Sequence, residues 1–314
     1  LIMLGAYALG SVVLSAQQSA SPGDRVPGFE TTGLGAETDL SEDDPFAPQS
    51  DGDSDLGEQF LLQRAPERTP IRLRFLSDAW WSNNLAATDR GKQEGWFWAN
   101  YLELSWRPQL APHLFLDSFA DQSVYRYEGG DLDFESTQIG LGVIKIFPNL
   151  DDLAVFGRYE YRYTHANNPS YRVLIGAGEH LSDHFHRLRF GTQKNLFIRP
   201  LDSAYAAADA SFNLDTDPSS LERNEYSFQI GYNRDLTRNF KTSLYYRAAW
   251  LDYENSGRED WNQTIGLELS YLINDWARLH TSLFYTNNDS NTSGSLDDYE
   301  TFQTGIGIGL TGKF

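Results

Sequence analysis

The feature that most constrains this chain is a period-two alternation of apolar and polar residues, which recurs from Pro70 to the C-terminus. Apolar residues occupy every even position between 226 and 232, and they dominate the odd positions between 264 and 273. Residues 302–314 alternate in the same way. Successive side chains of a strand point to opposite faces, whereas a helix would spread these apolar residues around its circumference. The pattern predicts β-strands with one apolar and one polar face.

The hydropathy of the chain excludes a bundle of membrane helices. Mean hydropathy is −0.49, and beyond the N-terminal region the sequence has no run of about 18 apolar residues, the length that a spanning helix needs. A β-barrel can cross a membrane with such a sequence because only alternate residues face lipid. Aromatic residues, which suit a pleated surface, make up 14% of the chain.

Cysteine content and charge exclude further classes of protein. The chain contains no cysteine, which excludes disulfides, zinc–thiolate sites and lipidation of an N-terminal cysteine. Its formal net charge is −19, and nucleic-acid binding depends on basic residues against phosphate. We therefore expect no nucleic-acid partner.

The N-terminal part of the chain differs from the rest. Residues 1–20 combine an apolar stretch with small residues, the pattern of a truncated signal peptide, and a short buried helix is the alternative. Residues 21–69 contain twelve acidic residues against three arginines and lack periodicity, so we expect a disordered acidic linker in the periplasm. The acidic sequence that starts at Asp51 does not match the EF-hand calcium loop, because Leu56 and Leu62 occupy the positions that require glycine and glutamate. The linker could instead recruit a periplasmic partner.

The connections between the alternating segments predict the topology of residues 70–314. Five short turns, one of them at 181–184, alternate with six longer polar connections, the longest at 199–221. Outer-membrane barrels show this asymmetry, with tight periplasmic turns and longer outside loops. We therefore predict a closed antiparallel up-and-down barrel of twelve strands with both termini periplasmic. We expect the 199–221 loop to fold inward as a constriction; its alanine-rich part, 205–212, could instead extend a strand or form a helix. The predicted strands are 70–82, 96–107, 112–127, 133–147, 152–165, 170–181, 184–198, 222–234, 239–254, 261–273, 276–287 and 299–314.

The tryptophans fall near predicted strand ends. Trp98 and Trp106 share one face of the second strand and lie eight residues apart, about 27 Å along a strand. That distance is close to the height of the apolar band between the aromatic girdles of a membrane barrel, about 25 Å. The residues assigned to this membrane-interface belt are Trp80, Trp98, Trp106, Trp250, Trp261 and Trp276.

With these features, residues 70–314 resemble a porin-type bacterial outer-membrane β-barrel. The last strand carries alternating apolar residues and ends in an aromatic one: Ile306, Ile308, Leu310 and Phe314. It resembles the C-terminal signal that the outer-membrane assembly machinery recognises. The resemblance implies location in the outer membrane, contact with its lipid and assembly by that machinery. It extends to the class of protein and not to one family.

The polar face of the strands carries charges of both signs. The candidates for lining a lumen or constriction are Glu103, Asp117, Arg158, Glu160, Arg162, Arg187, Arg189, Tyr245, Arg247 and Glu268. One interpretation is an arginine-lined constriction that favours anions or sugars. The other is a lumen filled by salt bridges, because narrow barrels are often packed inside. In either case an unpaired buried charge would be costly, so most arginines should have acidic neighbours.

Catalysis and metal binding have little support in the sequence. His180, Ser182, His184 and His186 recur at period two, but the turn predicted at 181–184 interrupts the run, so we expect an interfacial histidine cluster and not a metal site. The His-x-Ser-Asn-Gly-type motif of twelve-strand outer-membrane phospholipases is absent. We expect no catalytic residues, no metal, no cofactor and no enzymatic activity.

The function favoured by these observations is a narrow channel for small polar solutes, with anions or sugars as candidates. The alternative is a non-conducting barrel that serves a structural or partner-binding role in an envelope or export assembly. A lipid hydrolase ranks below both, because its motif is missing.

Overall fold

A computed structural model of the chain describes residues 71–85, 92–129, 132–166, 182–199, 201–217, 219–292 and 298–314. The segments predicted as signal peptide (1–20) and acidic linker (21–69) lie outside these residues, as does the strand predicted at 170–181. Within the described residues, no helix has the length and apolar character needed to span a membrane.

The described chain consists almost entirely of strands. Twelve are long, and the thirteenth, β3, is a three-residue strand beside the start of β4. Short 3₁₀ turns cover Pro148–Leu150 and Ser219–Leu221. The strands are β1 (Ile71–Ser82), β2 (Gly95–Trp106), β3 (Gln109–Ala111), β4 (Leu114–Tyr127), β5 (Phe134–Phe147), β6 (Leu153–Ala166), β7 (Ser182–Arg199), β8 (Asp202–Asp217), β9 (Arg223–Asp235), β10 (Phe240–Tyr253), β11 (Arg258–Asn274), β12 (Ala277–Ser290) and β13 (Tyr299–Lys313).

The twelve long strands close into a single antiparallel barrel, which confirms the predicted fold. Each long strand pairs with the next along the chain, and β1 pairs with both β2 and β13. Ile71 and Phe314 exchange backbone hydrogen bonds of 3.2 and 2.9 Å, so both ends of the barrel segment lie at one end of the barrel. Closure pairs the strand edges, which a membrane interior requires because it offers no water to backbone groups. We call the end of the barrel where Ile71 and Phe314 meet the terminus end, and the opposite end the loop end.

Two predicted connections are wrong, and both lie near β8. The segment 199–221 is not a loop: it contains β8, which pairs with β7 on one side and β9 on the other. Ser182, Asp183 and His184 are not a turn: they begin β7. The alanine-rich sequence of β8 has a weak strand signal of its own, and two neighbouring strands with unpaired edges override it.

Alternation separates an apolar outer face from a largely polar inner face. In β2, Leu102 and Leu104 are 45% and 50% exposed on the outside, whereas Ala99 and Tyr101 are 4% and 6% exposed on the inside. Trp80 is a correction to the predicted belt, because it is 3% exposed on the inner face of β1. The even positions of β1 also carry Arg72, Arg74 and Asp78, which fixes that face as the inner one.

Side chains of neighbouring strands cover the inward glycines of β13. A Cβ at Gly305 would lie 2.5 Å from the Trp80 ring, and one at Gly307 would lie 1.8 Å from the Asp78 carboxylate. Gly307 is paired with Asp78 on β1 and with His280 on β12. These two side chains meet over it at 2.5 Å. Because Gly307 has no side chain, Asp78 of β1 and His280 of β12 contact each other inside the barrel, across β13.

Candidate functional site: the barrel lumen

A buried carboxylate organises the charged side of the lumen. Glu160, on the inner face of β6, is fully buried. It accepts hydrogen bonds from Arg158, two residues earlier on the same face, and from Arg187, its direct partner on β7. Two cations against one carboxylate satisfy a group that would be costly to bury alone.

Ion pairs extend from Glu160 in both directions along the wall. Towards β4, Arg158 contacts Asp117 at 3.4 Å, and Asp117 is held by Arg107 at 2.8 Å. Towards β10, Arg189 pairs with Asp209 at 2.8 Å, and Arg247 pairs with Glu225. We call this set the charged belt: Arg107, Asp117, Arg158, Glu160, Arg187, Arg189, Asp209, Glu225 and Arg247.

A row of aromatic side chains crosses the inner wall from β10 through β12, β1 and β2 to β4. Ring centroids lie 6.0 Å apart for Tyr245 and Phe284, 5.3 Å for Phe284 and Trp80, and 6.2 Å for Trp80 and Phe97. The stack continues through Phe97 and Tyr127 at 5.0 Å. We call these five residues the aromatic arc. Sequence reasoning missed most of it, because it assigned apolar side chains to the lipid face.

All ten predicted lumen residues lie on the inner face. Glu103 pairs with Arg74 at 3.0 Å and accepts a hydrogen bond from the Tyr101 hydroxyl at 2.7 Å. Arg162 donates to the side-chain oxygen of Gln138 at 2.8 Å. Glu268 is half-buried on β11. The structure joins seven of the ten into the belt or the arc; their role in solute passage stays a prediction.

Several buried polar atoms of the inner wall have no hydrogen-bond partner among the described protein atoms. They are Gln229 Oε1, Arg247 Nε, Asn262 Oδ1, His280 Nδ1 and Ser282 Oγ. Such atoms are rare in folded proteins unless water or a ligand bonds to them. Each of these atoms is also closed off from solvent-accessible space, so water in the lumen can bond to it only if neighbouring side chains move.

The residues predicted to contact membrane or assembly machinery lie on the outer face, apart from Trp80. The other five tryptophans of the predicted belt, Trp98, Trp106, Trp250, Trp261 and Trp276, are 40–59% exposed. The outer face of β13 carries Ile306, Ile308, Leu310 and, just beyond it, Phe314. Their roles at the membrane and in assembly stay predictions. The described side chains arranged as metal ligands are His184, His186 and Asp215, which also lie outside the lumen.

Comparisons with known proteins show the fold. No protein-family model and no curated protein sequence matches the chain. An outer-membrane channel from Pseudomonas putida F1 is similar in structure, with TM-score 0.53 at 9% identity, covering 81% of this chain and 99% of that one. A KdgM porin in complex with disordered oligogalacturonate gives TM-score 0.41 at 7% identity, with coverages of 76% and 98%. LpxR from Salmonella typhimurium gives 0.42 at 10%, with coverages of 75% and 99%. The predicted resemblance to outer-membrane β-barrels is confirmed at the level of the fold.

Proposed function

We propose that this barrel is an outer-membrane channel for small polar solutes, with both ends of its chain in the periplasm. The observation that carries the proposal is that charged side chains of the inner face keep contact with solvent-accessible space: Arg74, Arg187 and Glu225 are 20%, 12% and 15% exposed. A lumen packed shut would leave no accessible area on these side chains, whereas a water-filled lumen contacts them. The similar Pseudomonas structure is itself an outer-membrane channel, which accords with the proposal.

The wall favours anionic or sugar-like solutes. The charged belt places arginine side chains beside carboxylates, and the aromatic arc supplies flat apolar surface on the same inner wall. Guanidinium groups bind carboxylate and phosphate oxygens with matched geometry. Aromatic rings can cover the apolar faces of a sugar while the belt bonds its hydroxyls.

Electrical recording from the full chain, refolded and inserted into a planar lipid bilayer, tests the proposal. We expect stepwise conductance that rises with salt concentration. In a salt gradient, Glu225→Gln should shift the reversal potential towards anion preference, because it leaves the positive charge of Arg247 uncompensated in the lumen.

A matched control comes from the outer face. Glu135→Gln removes the carboxylate of the Arg126–Glu135 pair, whose side chains are 41% and 38% exposed outside the lumen. This variant should keep the wild-type reversal potential. Absence of conductance steps from correctly folded protein would reject the channel.

A non-conducting barrel remains the second candidate, favoured by the burial of the belt. The side chains of Arg158 and Glu160 are 1% and 0% exposed, as in a packed interior. In that case the acidic segment 21–69 would carry the function by binding a periplasmic partner. The folded, non-conducting outcome of the bilayer experiment would select this candidate.

A further inference from the structure

Two histidines project from the outer face of β7 near the loop end. His184 and His186 are two residues apart, so strand alternation places both on one face. Their partners across the β6–β7 ladder are Tyr163 and Tyr161, on the outer face of β6. The outer face of β7 becomes apolar further along the strand, so the histidines lie at the border of the membrane-facing surface.

An irregularity in the next strand pair brings a carboxylate beside them. The β7–β8 register shifts between His186 and Arg187. Arg187 pairs with Asn213 and His186 pairs with Asp215, so Leu214 is an extra residue of β8 without a partner position on β7. A bulge of this kind re-aims the side chains that follow it. Without it, Asp215 would continue the inner-face alternation of Ser211 and Asn213. With it, Asp215 is exposed on the outer face.

The three side chains have the composition and spacing of a metal site. One ligand atom from each of His184, His186 and Asp215 lies within 4.8 Å of the others. Ligands of a tetrahedral zinc ion, at about 2.1 Å from the metal, are roughly 3.4 Å apart. Rotamer changes of partly exposed side chains can close that difference.

A neighbouring hydroxyl orients one of the imidazoles. The Tyr159 hydroxyl and His186 Nδ1 form a hydrogen bond, and the Tyr161 ring lies 4.8 Å from the His186 ring. Metal-bound histidines usually bond their second nitrogen to an outer partner, which fixes ring orientation and tautomer. Tyr159 can play this role while Nε2 of His186 serves as the ligand.

We propose that His184, His186 and Asp215 bind a divalent transition-metal ion of the Zn²⁺ type on the outer face of the barrel. Two imidazoles and one carboxylate favour Zn²⁺, Cu²⁺ and Ni²⁺ over Ca²⁺ and Mg²⁺, which prefer oxygen ligands. Three protein ligands leave a further coordination position for water or an anionic group. The site would link β7 to β8 across the bulge.

Zinc titration of the full chain in detergent micelles, with excess Mg²⁺ to occupy carboxylate-only sites, tests the proposal. We expect one Zn²⁺ per chain with a dissociation constant in the micromolar range. His186→Asn and Asp215→Asn should each weaken it by about 100-fold, and Tyr159→Phe by about 10-fold. His113→Asn, which removes a histidine from a turn at the terminus end, should leave binding unchanged.

Electron paramagnetic resonance of one equivalent of Cu²⁺ gives an independent measurement. We expect coupling to two imidazole nitrogens in the wild type and to one in His184→Asn. Each variant is first checked for the heat-modifiable gel migration of a folded barrel. Equal zinc affinity in the wild type and in folded His186→Asn would overturn the proposal. So would a number of nitrogens coupled to Cu²⁺ that is the same in the wild type and in His184→Asn.

Discussion

The most informative perturbation of the lumen is Glu160→Gln. Glutamine keeps the size of the side chain and removes its negative charge from between Arg158 and Arg187, whose side chains are 1% and 12% exposed. Breaking a buried ion pair by removing one partner costs about 3–5 kcal/mol, because the other charge stays buried without compensation. Arg158 keeps its contact with Asp117 at 3.4 Å, which limits the loss. We expect a loss of about 3 kcal/mol, the lower end of that range.

The assay is equilibrium urea unfolding of the barrel in lipid vesicles, followed by tryptophan fluorescence. Asp151→Asn is the matched control, because it neutralises a carboxylate that forms a 3.0 Å ion pair with Lys194 on the surface. The side chains of Asp151 and Lys194 are 86% and 35% exposed. Exposed pairs contribute at most about 1 kcal/mol, so this variant should unfold almost as the wild type does. Adding Arg187→Gln to Glu160→Gln should recover part of the lost stability, because it removes one of the two cations that bonded the missing carboxylate.

Equal, small effects of Glu160→Gln and Asp151→Asn would refute the reasoning. They would mean that water screens Glu160 as it screens a surface carboxylate. The charged belt would then be a set of solvated groups along an open lumen, and its ion pairs would add little to stability.

Two further predictions concern the wall of the barrel. Gly307→Ala should destabilise the barrel by about 1–3 kcal/mol in the same unfolding assay, because its Cβ would collide with the Asp78 carboxylate. Gly309→Ala should cost clearly less, because its Cβ would meet only side-chain atoms at 3.0 Å. Equal losses of stability in the two variants would contradict this prediction. Brominated lipid quenches the fluorescence of tryptophans that contact it. In vesicles of this lipid, Trp98→Phe should remove a strongly quenched signal and Trp80→Phe a weakly quenched one, because of these two only Trp98 is on the outer face. The reverse result would restore Trp80 to the membrane belt.

The sequence predicted the closed barrel and the direction of every proposed lumen residue, because strand alternation is a local property. Parity along β6 is enough to put Arg158, Glu160 and Arg162 on one face. Their partners were not predictable, since the pairing of Glu160 with Arg187 depends on the register between two strands. The prediction that most arginines would have acidic neighbours followed from the cost of buried charge alone.

The errors arose where local signals were weak or ambiguous. In β1, adjacent tryptophans give both faces an aromatic residue, so hydrophobicity alone could not place Trp80; the charged residues Arg74 and Asp78 of the same parity could have done so. In β8, small side chains lack strand preference, and pairing to both neighbours determines the structure. The bulge that turns Asp215 outward has no recognisable sequence signal.

These corrections change where a constriction can form. The segment expected to fold inward as a loop, 199–221, contributes a strand to the wall, so it cannot narrow the lumen in that way. Among the described residues, narrowing can come instead from side chains that contact one another across inward glycines, as Asp78 and His280 do over Gly307. Such contacts are anchored in paired strands, which move far less readily than loops do. A channel built this way selects solutes by the fixed chemistry of its wall, so substitutions in the charged belt should change ion selectivity without creating or abolishing gating.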